Sequence, residues 1–242
     1  MFLGKASVPE GLVVYAIGDV HGYRDLLAEL LEKIDADFAA GNAAERRIVT
    51  VGDYCDRGPD SSGVFELLSR RVEGGELVCL RGNHDQYILD FLDDPFQSGA
   101  HWLRMGGRET VLSYGIDREF EPDPQRMARE FARALPRRHL DFLQSTRFSH
   151  EIGDYFFAHA GVRPGRELEH QDPHDLMWIR KEFHDHAGDF GKVVVHGHTP
   201  HDAVEVLPNR INIDTGVYMN GLLSCVRLEG TKLSILQVSG RP

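Results

Sequence analysis

The first third of this 242-residue chain alternates regularly between short apolar runs and amphipathic stretches. The runs LVVYAI (12–17), RIVTV (47–51) and ELVCL (76–80) have the length and β-branched content of buried strands. Between them, Leu26, Leu27, Leu30, Leu31 and Ile34, and then Val64, Leu67, Leu68 and Val72, recur at helical spacing. A β-α-β-α-β order of this kind implies parallel strands joined by right-handed crossovers. A third helix is expected after His84, with Tyr87, Ile88, Phe91 and Leu92 on its apolar face. From 95 to about 150 the alternation breaks; MAREFARAL and RRHLDFLQS read as helices, so a helical insertion or cap is expected there. Strands resume at YFFAHA (155–160), KVVVHG (192–197), RINID (210–214), LLSCVRL (222–228) and KLSILQV (232–238), and the short gaps between the last three predict an antiparallel end. No repeat or linker divides the chain, so one α/β domain over 1–242 is the expected organisation.

The chemistry is concentrated just past the strands. The clusters GDVHG (18–22), GDYCDRG (52–58), GNHD (82–85), HAG (159–161) and HGHT (196–199) all fall at strand ends. In an open α/β sheet, ligands bind beyond those carboxyl ends. Asp19, Asp53 and Asn83 are spaced by about one βαβ unit each, so the sheet sets them side by side. Within GDVHG, residues i and i+2 of an extended segment point the same way, which lets Asp19 and His21 grip one object while Gly18 and Gly22 permit a sharp turn. Asp19, His21, Asp53, Asn83, His159 and His198 offer carboxylate, imidazole and amide donors without a thiolate, a set suited to manganese, iron or zinc. Six groups exceed one tetrahedral ion and fit two ions sharing a carboxylate, for which Asp53 is central.

Composition removes several classes. A net charge of −11 disfavours a broad basic face, so neither a nucleic acid nor an anionic membrane is an expected partner. An anionic substrate is still compatible with a locally positive pocket. Three scattered cysteines argue against a disulfide framework and against a cysteine-built zinc site. No apolar run approaches the roughly 20 residues that span a bilayer, and MFLGKAS lacks a secretory hydrophobic region, so a cytoplasmic location is expected.

The five clusters, in this order, resemble the phosphoprotein phosphatase branch of the calcineurin-like metallophosphoesterases, in the manner of its bacterial and phage members. The resemblance implies an α/β fold with a central β-sandwich flanked by helices, and two divalent ions, manganese first with iron or zinc as alternatives. It assigns Asp19, His21 and Asp53 to one ion, and Asp53, Asn83, His159 and His198 to the other. His84 would protonate the leaving oxygen, Asp56 would orient and charge His84, and Arg57 would clamp the phosphate. Arg180, in MWIRKEF, looks like a second phosphate-binding arginine, although a salt bridge to Glu182 or stacking on Trp178 would also account for it. The implied chemistry is in-line attack by a hydroxide bridging the ions, without a covalent phosphoenzyme. The implied substrate is a phosphorylated serine/threonine protein or a small phosphoester. The alternative is a dinucleoside polyphosphate such as diadenosine tetraphosphate, whose hydrolases share GDVHG, GNHD and HAG but tend to lack the DRG tripeptide. HAGVRP and NIDTGVY depart from the eukaryotic pattern, so no eukaryotic-type regulatory subunit is expected. A silent phospho-binding protein on this fold would lose a ligand or the proton donor, and none is missing. His196 and Asp214 are expected to support the site from behind, and His184 and His186 to lie in a solvated loop. Cys55 is either a small buried residue or a point of oxidant sensitivity.

Overall fold

Along β1 (Leu12–Ile17), Val13, Tyr15 and Ile17 pack into one apolar cluster and Val14 and Ala16 into another, as the two-residue period of a strand requires. In the computed structural model, which describes residues 2–117 and 123–241, this alternation puts β1 inside a layered structure; residues 118–122 of the expected helical segment lie outside the described residues. β1 runs parallel to β2 (Glu45–Thr50), and β2 parallel to β3 (Leu77–Cys79), with α1 (Arg24–Ala40) and α2 (Ser61–Val72) as the connections. Asp60 caps α2 by accepting from the Gly63 N–H at 2.7 Å. The expected third helix, α3 (Asn83–Asp93), begins one residue before His84.

Among the described residues, four helices then precede β4 (Ser149–Ile152): α4 (Pro95–Trp102), α5 (Arg108–Ser113), α6 (Pro124–Ala134) and α7 (Arg137–Ser145). A π-helical turn, Leu103–Gly107, joins the first two. The second sheet contains β4, β5 (Tyr155–Ala158), β6 (Val193–His196), β7 (Glu205–Val206) and β8 (Arg210–Asn212), in the order β4-β5-β6-β8-β7. The short helices α8 (Pro173–Trp178), α9 (Lys181–His184) and α10 (Val217–Asn220) connect its strands and lead to β9 (Leu222–Glu229) and β10 (Lys232–Ser239). The first sheet is ordered β10-β9-β1-β2-β3.

The sheets face each other through Val14, Ala16 and Val49 on one side and Phe157, Val195 and Ile211 on the other. Leu27, Phe65, Phe91 and Phe131 of the helices cover the far face of the first sheet, and Leu176 and Phe183 cover Phe156 and Val194 on the second. Burying each such side chain stabilises by about 1.5–3 kcal/mol. The chain thus has the α/β sandwich flanked by helices that its sequence implied. The antiparallel end is correct only for β9 and β10. RINID forms β8, which pairs parallel with β6 in the other sheet, because Gly216 at φ 68° turns the chain into α10 and carries it across before β9 starts. Among the described residues, no helix is long and apolar enough to cross a membrane.

Candidate metal centre

The loops after β1, β2, β3, β5 and β6 converge at one rim, and their backbones are unusual. His21, Asp53, Asp56, Arg57 and His198 are the non-glycine residues with positive φ among those described, at 45°, 52°, 70°, 68° and 67°. Each such conformation costs about 1–3 kcal/mol unless its surroundings fix it. Two devices do so here. The Asp53 carbonyl accepts from the Val20 and His21 N–H groups at 3.0 and 2.8 Å, tying the first loop to the second. Asp85, fully buried, accepts from the N–H groups of Gly82, Asp53 and Tyr54, each at 2.9 Å. Sequence reasoning gave Asp85 no role, although an acid at the third position of a helix is a recognisable signal for such backbone capture. Asp85→Ala strands three buried donors, and an expected loss of at least about 3 kcal/mol of unfolding free energy is checked by urea titration.

Those same bonds overturn the extended reading of GDVHG. The chain turns at His21, so the segment is not extended there. His21 Nε2 lies 3.6 Å from Asp53 Oδ2, and its Nδ1 is 2.8 Å from the Cys55 carbonyl, which makes Nδ1 the protonated nitrogen. Asp19 Oδ2 instead accepts from the His198 N–H at 3.1 Å. Gly18 serves close packing rather than turning: a Cβ there would meet the Ile213 carbonyl oxygen at 2.2 Å.

Asp53 is the centre of the arrangement. Its carboxylate belongs to two compact groups of donor atoms, one with His21 and His84, the other with His159 and His198. The first group contains His84 where the sequence placed Asp19. Asn83 Oδ1 lies 3.0 Å from His159 Nε2, at the edge of the second group, and His159 Nδ1 is fixed by the Val51 carbonyl at 2.9 Å. Two polar atoms in this cluster, Asp19 Oδ1 and His198 Nε2, are buried without any hydrogen-bond partner. Orphaned donor atoms of this kind are what a bound cation would satisfy.

The electrostatics agree with that fit. Burial, with Asp214 and Asp53 adding to it, raises the Asp19 carboxyl well above the usual carboxylate range. Burial likewise lifts Asp85 to about 7 and Asp214 to about 6. For Asp53, burial works the same way, but attraction to neighbouring histidines in their charged form, among them His84 with its raised pKa, outweighs it and lowers the Asp53 pKa. Burial also depresses the pKa of His21, His159 and His198, which favours their neutral forms. Neutral imidazoles around an ionised carboxylate are the protonation states in which both coordinate metals. The donor set fits divalent ions of the manganese, iron or zinc type.

Beside this centre stands a chain of charged hydrogen bonds. His84 Nδ1 is 2.6 Å from Asp56 Oδ2, and its Nε2 is 3.0 Å from Arg57 Nη2. Arg57 Nη1 is 2.8 Å from His21 Nε2. Asp56, fully buried, also accepts from Thr110 Oγ1 at 2.6 Å and from Trp102 Nε1 at 3.0 Å. Both donors come from the helical segment, α4 and α5. Burial lowers the affinity of His84 for a proton, but Asp53 and Asp56 outweigh it and raise its pKa. The Arg57 guanidinium stacks on Tyr218 at 4.0 Å, and the Tyr218 ring meets His21 edge-on at 5.1 Å. Trp102, Thr110 and Tyr218 were not identified from the sequence.

The remaining candidates divide. Arg180 is exposed and donates to Thr199 Oγ1 at 3.2 Å, and its charge contributes to the lowered pKa of His159 and His198, so it stands at the second donor group. His196 is fully buried, its ring edge-on to Phe183 and His184. His184 is not in a solvated loop: it ends α9, half-buried, with Nε2 3.2 Å from Thr199 Oγ1. Asp214 Oδ1 accepts from the Gly216 N–H at 2.9 Å, beside Asp19. Cys55 is fully buried, and burial pushes its thiol far up, which leaves little thiolate to oxidise.

Comparison with known proteins sharpens this picture. Residues 12–222 match the family model described as calcineurin-like phosphoesterase. An asymmetrical bis(5'-nucleosyl)-tetraphosphatase of Halalkalibacterium halodurans is 25% identical over 87% of this chain and 88% of its own. Serine/threonine-protein phosphatase 1 of Salmonella typhimurium is 27% identical over 89% of this chain and 92% of its own. A crystal structure of a putative diadenosine tetraphosphatase shares the fold, with a TM-score of 0.66, 22% identity, and coverage of 95% and 94% of the two chains.

Proposed function

Because the chain belongs to the calcineurin-like phosphoesterase family, which makes it a phosphoric ester hydrolase, we propose that it hydrolyses its substrate at a centre of two divalent ions, manganese first, by direct in-line attack of water. The observation that carries this reading is the Asp53 carboxylate, shared by two donor groups, standing beside the hydrogen-bonded Asp56-His84-Arg57 array. In it Asp19, His21 and Asp53 hold one ion, and Asp53, Asn83, His159 and His198 the other. Divalent ions bound there would acidify a water and offset charge on the phosphate oxygens.

The chain's own groups supply the rest. The planar fork of Arg57 takes two phosphate oxygens, and Arg180, which bonds Thr199 beside the second donor group, supplies a further cation for them. Arg57 can donate to His84 Nε2 only while that ring is neutral. A bound phosphate draws the fork away, and Nε2 is then free to carry the proton that the leaving oxygen needs. Asp56 keeps the ring oriented at Nδ1 and stabilises its charge, while Trp102 and Thr110 keep Asp56 in place. Tyr218 holds the guanidinium plane. A cation–π contact of about 0.5–2 kcal/mol implies that Tyr218→Ala raises KM several-fold with kcat little changed, and that Tyr218→Phe restores KM. An equal loss in both variants would remove the stacking role.

For the substrate, the Asp56-Arg57-Gly58 tripeptide and the Salmonella relative favour a phosphomonoester, most simply on a serine/threonine phosphoprotein, and the Halalkalibacterium relative favours a dinucleoside polyphosphate. Release of phosphate from a phosphopeptide and from phenyl phosphate, and of ADP, or of AMP with ATP, from diadenosine tetraphosphate, all by one manganese-loaded sample, is the deciding measurement. A sample inert toward all three would end the hydrolytic reading.

A further inference from the structure

Arg57 has two sides. Its fork faces His21 and His84, and it also lines a cavity of about 620 Å³ together with Gly22, the chain neighbour of His21. That volume is in the range of small-molecule sites. Its wall combines three chemistries at one place. Arg24 and Arg241 join Arg57 as cations. Tyr23 contributes an aromatic ring, half-buried and pressed so close to Gly58 that a Cβ there would meet it at 2.8 Å. Asp60 and Glu109 contribute carboxylates, Asp60 already oriented as the cap of α2 and Glu109 standing on α5. Asp25, a further carboxylate lining the cavity, pairs with Arg24.

We infer that this cavity is a subsite for the part of the substrate beyond the scissile phosphate, and that its occupant is a nucleoside polyphosphate. Arginine forks match phosphate oxygens, an aromatic face takes a base of any sequence, and an acidic side chain accepts from ribose hydroxyls, as in dinucleotide sites. A phosphopeptide would use the cations but has no need of ring and carboxylates together. Inorganic polyphosphate would likewise use the cations and leave the ring and the carboxylates without a partner. The inference rests on the hydrolytic reading above for its place in catalysis, and on the cavity alone for binding.

The test separates the two. Arg24 and Arg241 are exposed and lie outside the donor groups and the proton-transfer array, so the double variant Arg24→Ala/Arg241→Ala is expected to fold and to keep its activity on phenyl phosphate within twofold. Its kcat/KM on diadenosine tetraphosphate should fall at least about tenfold, through KM. By calorimetry without metal, ADP should bind the wild type and bind the double variant at least about tenfold more weakly. Tyr23→Leu should weaken ADP in the same way, and Tyr23→Phe should not. If the wild type hydrolyses nothing yet binds ADP with this dependence on the arginines, the subsite stands and the hydrolytic reading falls. If it hydrolyses esters while ADP binding and the diadenosine tetraphosphate to phenyl phosphate ratio ignore both arginines, the subsite is overturned. It is equally overturned if the double variant loses a phosphopeptide but not the nucleotide.

Discussion

His84→Asn lowers kcat on phenyl phosphate by about 10²–10⁴-fold, the range for losing a positioned general acid, and lowers it much less on p-nitrophenyl phosphate. The difference arises from the leaving group, since nitrophenolate departs without a proton and phenolate does not. The Asp56 carboxylate 2.6 Å from Nδ1 raises the pKa of His84 against the effect of burial, once Asp53 is counted with it. The ring therefore keeps its proton to a higher pH than a free histidine at about 6.5. In the wild type kcat/KM on phenyl phosphate falls as pH rises through that raised value, and in the variant this alkaline limb is gone. Equal losses on both esters, or a limb that persists in the variant, would show that His84 acts on binding rather than as the acid.

The second large effect is on the centre itself. Asp53→Asn keeps an oxygen to accept the His84 N–H, now at 3.0 Å, but removes the one negative charge common to both donor groups. Manganese affinity should fall by more than the roughly 10–100-fold cost of disturbing an outer partner of a metal site, with hydrolysis lost in parallel. Calorimetric titration of manganese reads the binding directly. A variant that takes up two ions with wild-type affinity would show that Asp53 is not shared between them.

Most of this arrangement was legible in the chain because its parts sit in short clusters at strand ends, where topology brings them together. Asp53 and Asn83 could be placed beside one another from the spacing of the strands, and His84, His159 and His198 were set with them by the resemblance of their motifs. Asp19 was harder. Its partner depends on a left-handed turn at His21 and on a backbone N–H from His198, 179 residues away. Trp102 and Thr110 reach Asp56 across 46 and 54 residues from helices with no motif of their own. Their indole and hydroxyl groups look like ordinary core and helix residues until the packing is seen. Tyr218 escaped for the same reason. In the fold, the periodicity identified β8 as a strand but could not say which sheet it joins, because that is decided by the direction in which α10 carries the chain.

The grip of Trp102 and Thr110 on Asp56 has a consequence for engineering. A helical segment over an active site invites treatment as an interchangeable module, to be trimmed away or traded with a relative to redirect selectivity. Here any graft that omits the indole or the hydroxyl leaves a carboxylate sealed from solvent with His84 as its chief remaining partner, so specificity in this scaffold cannot be transplanted without carrying part of the proton-transfer apparatus along with it.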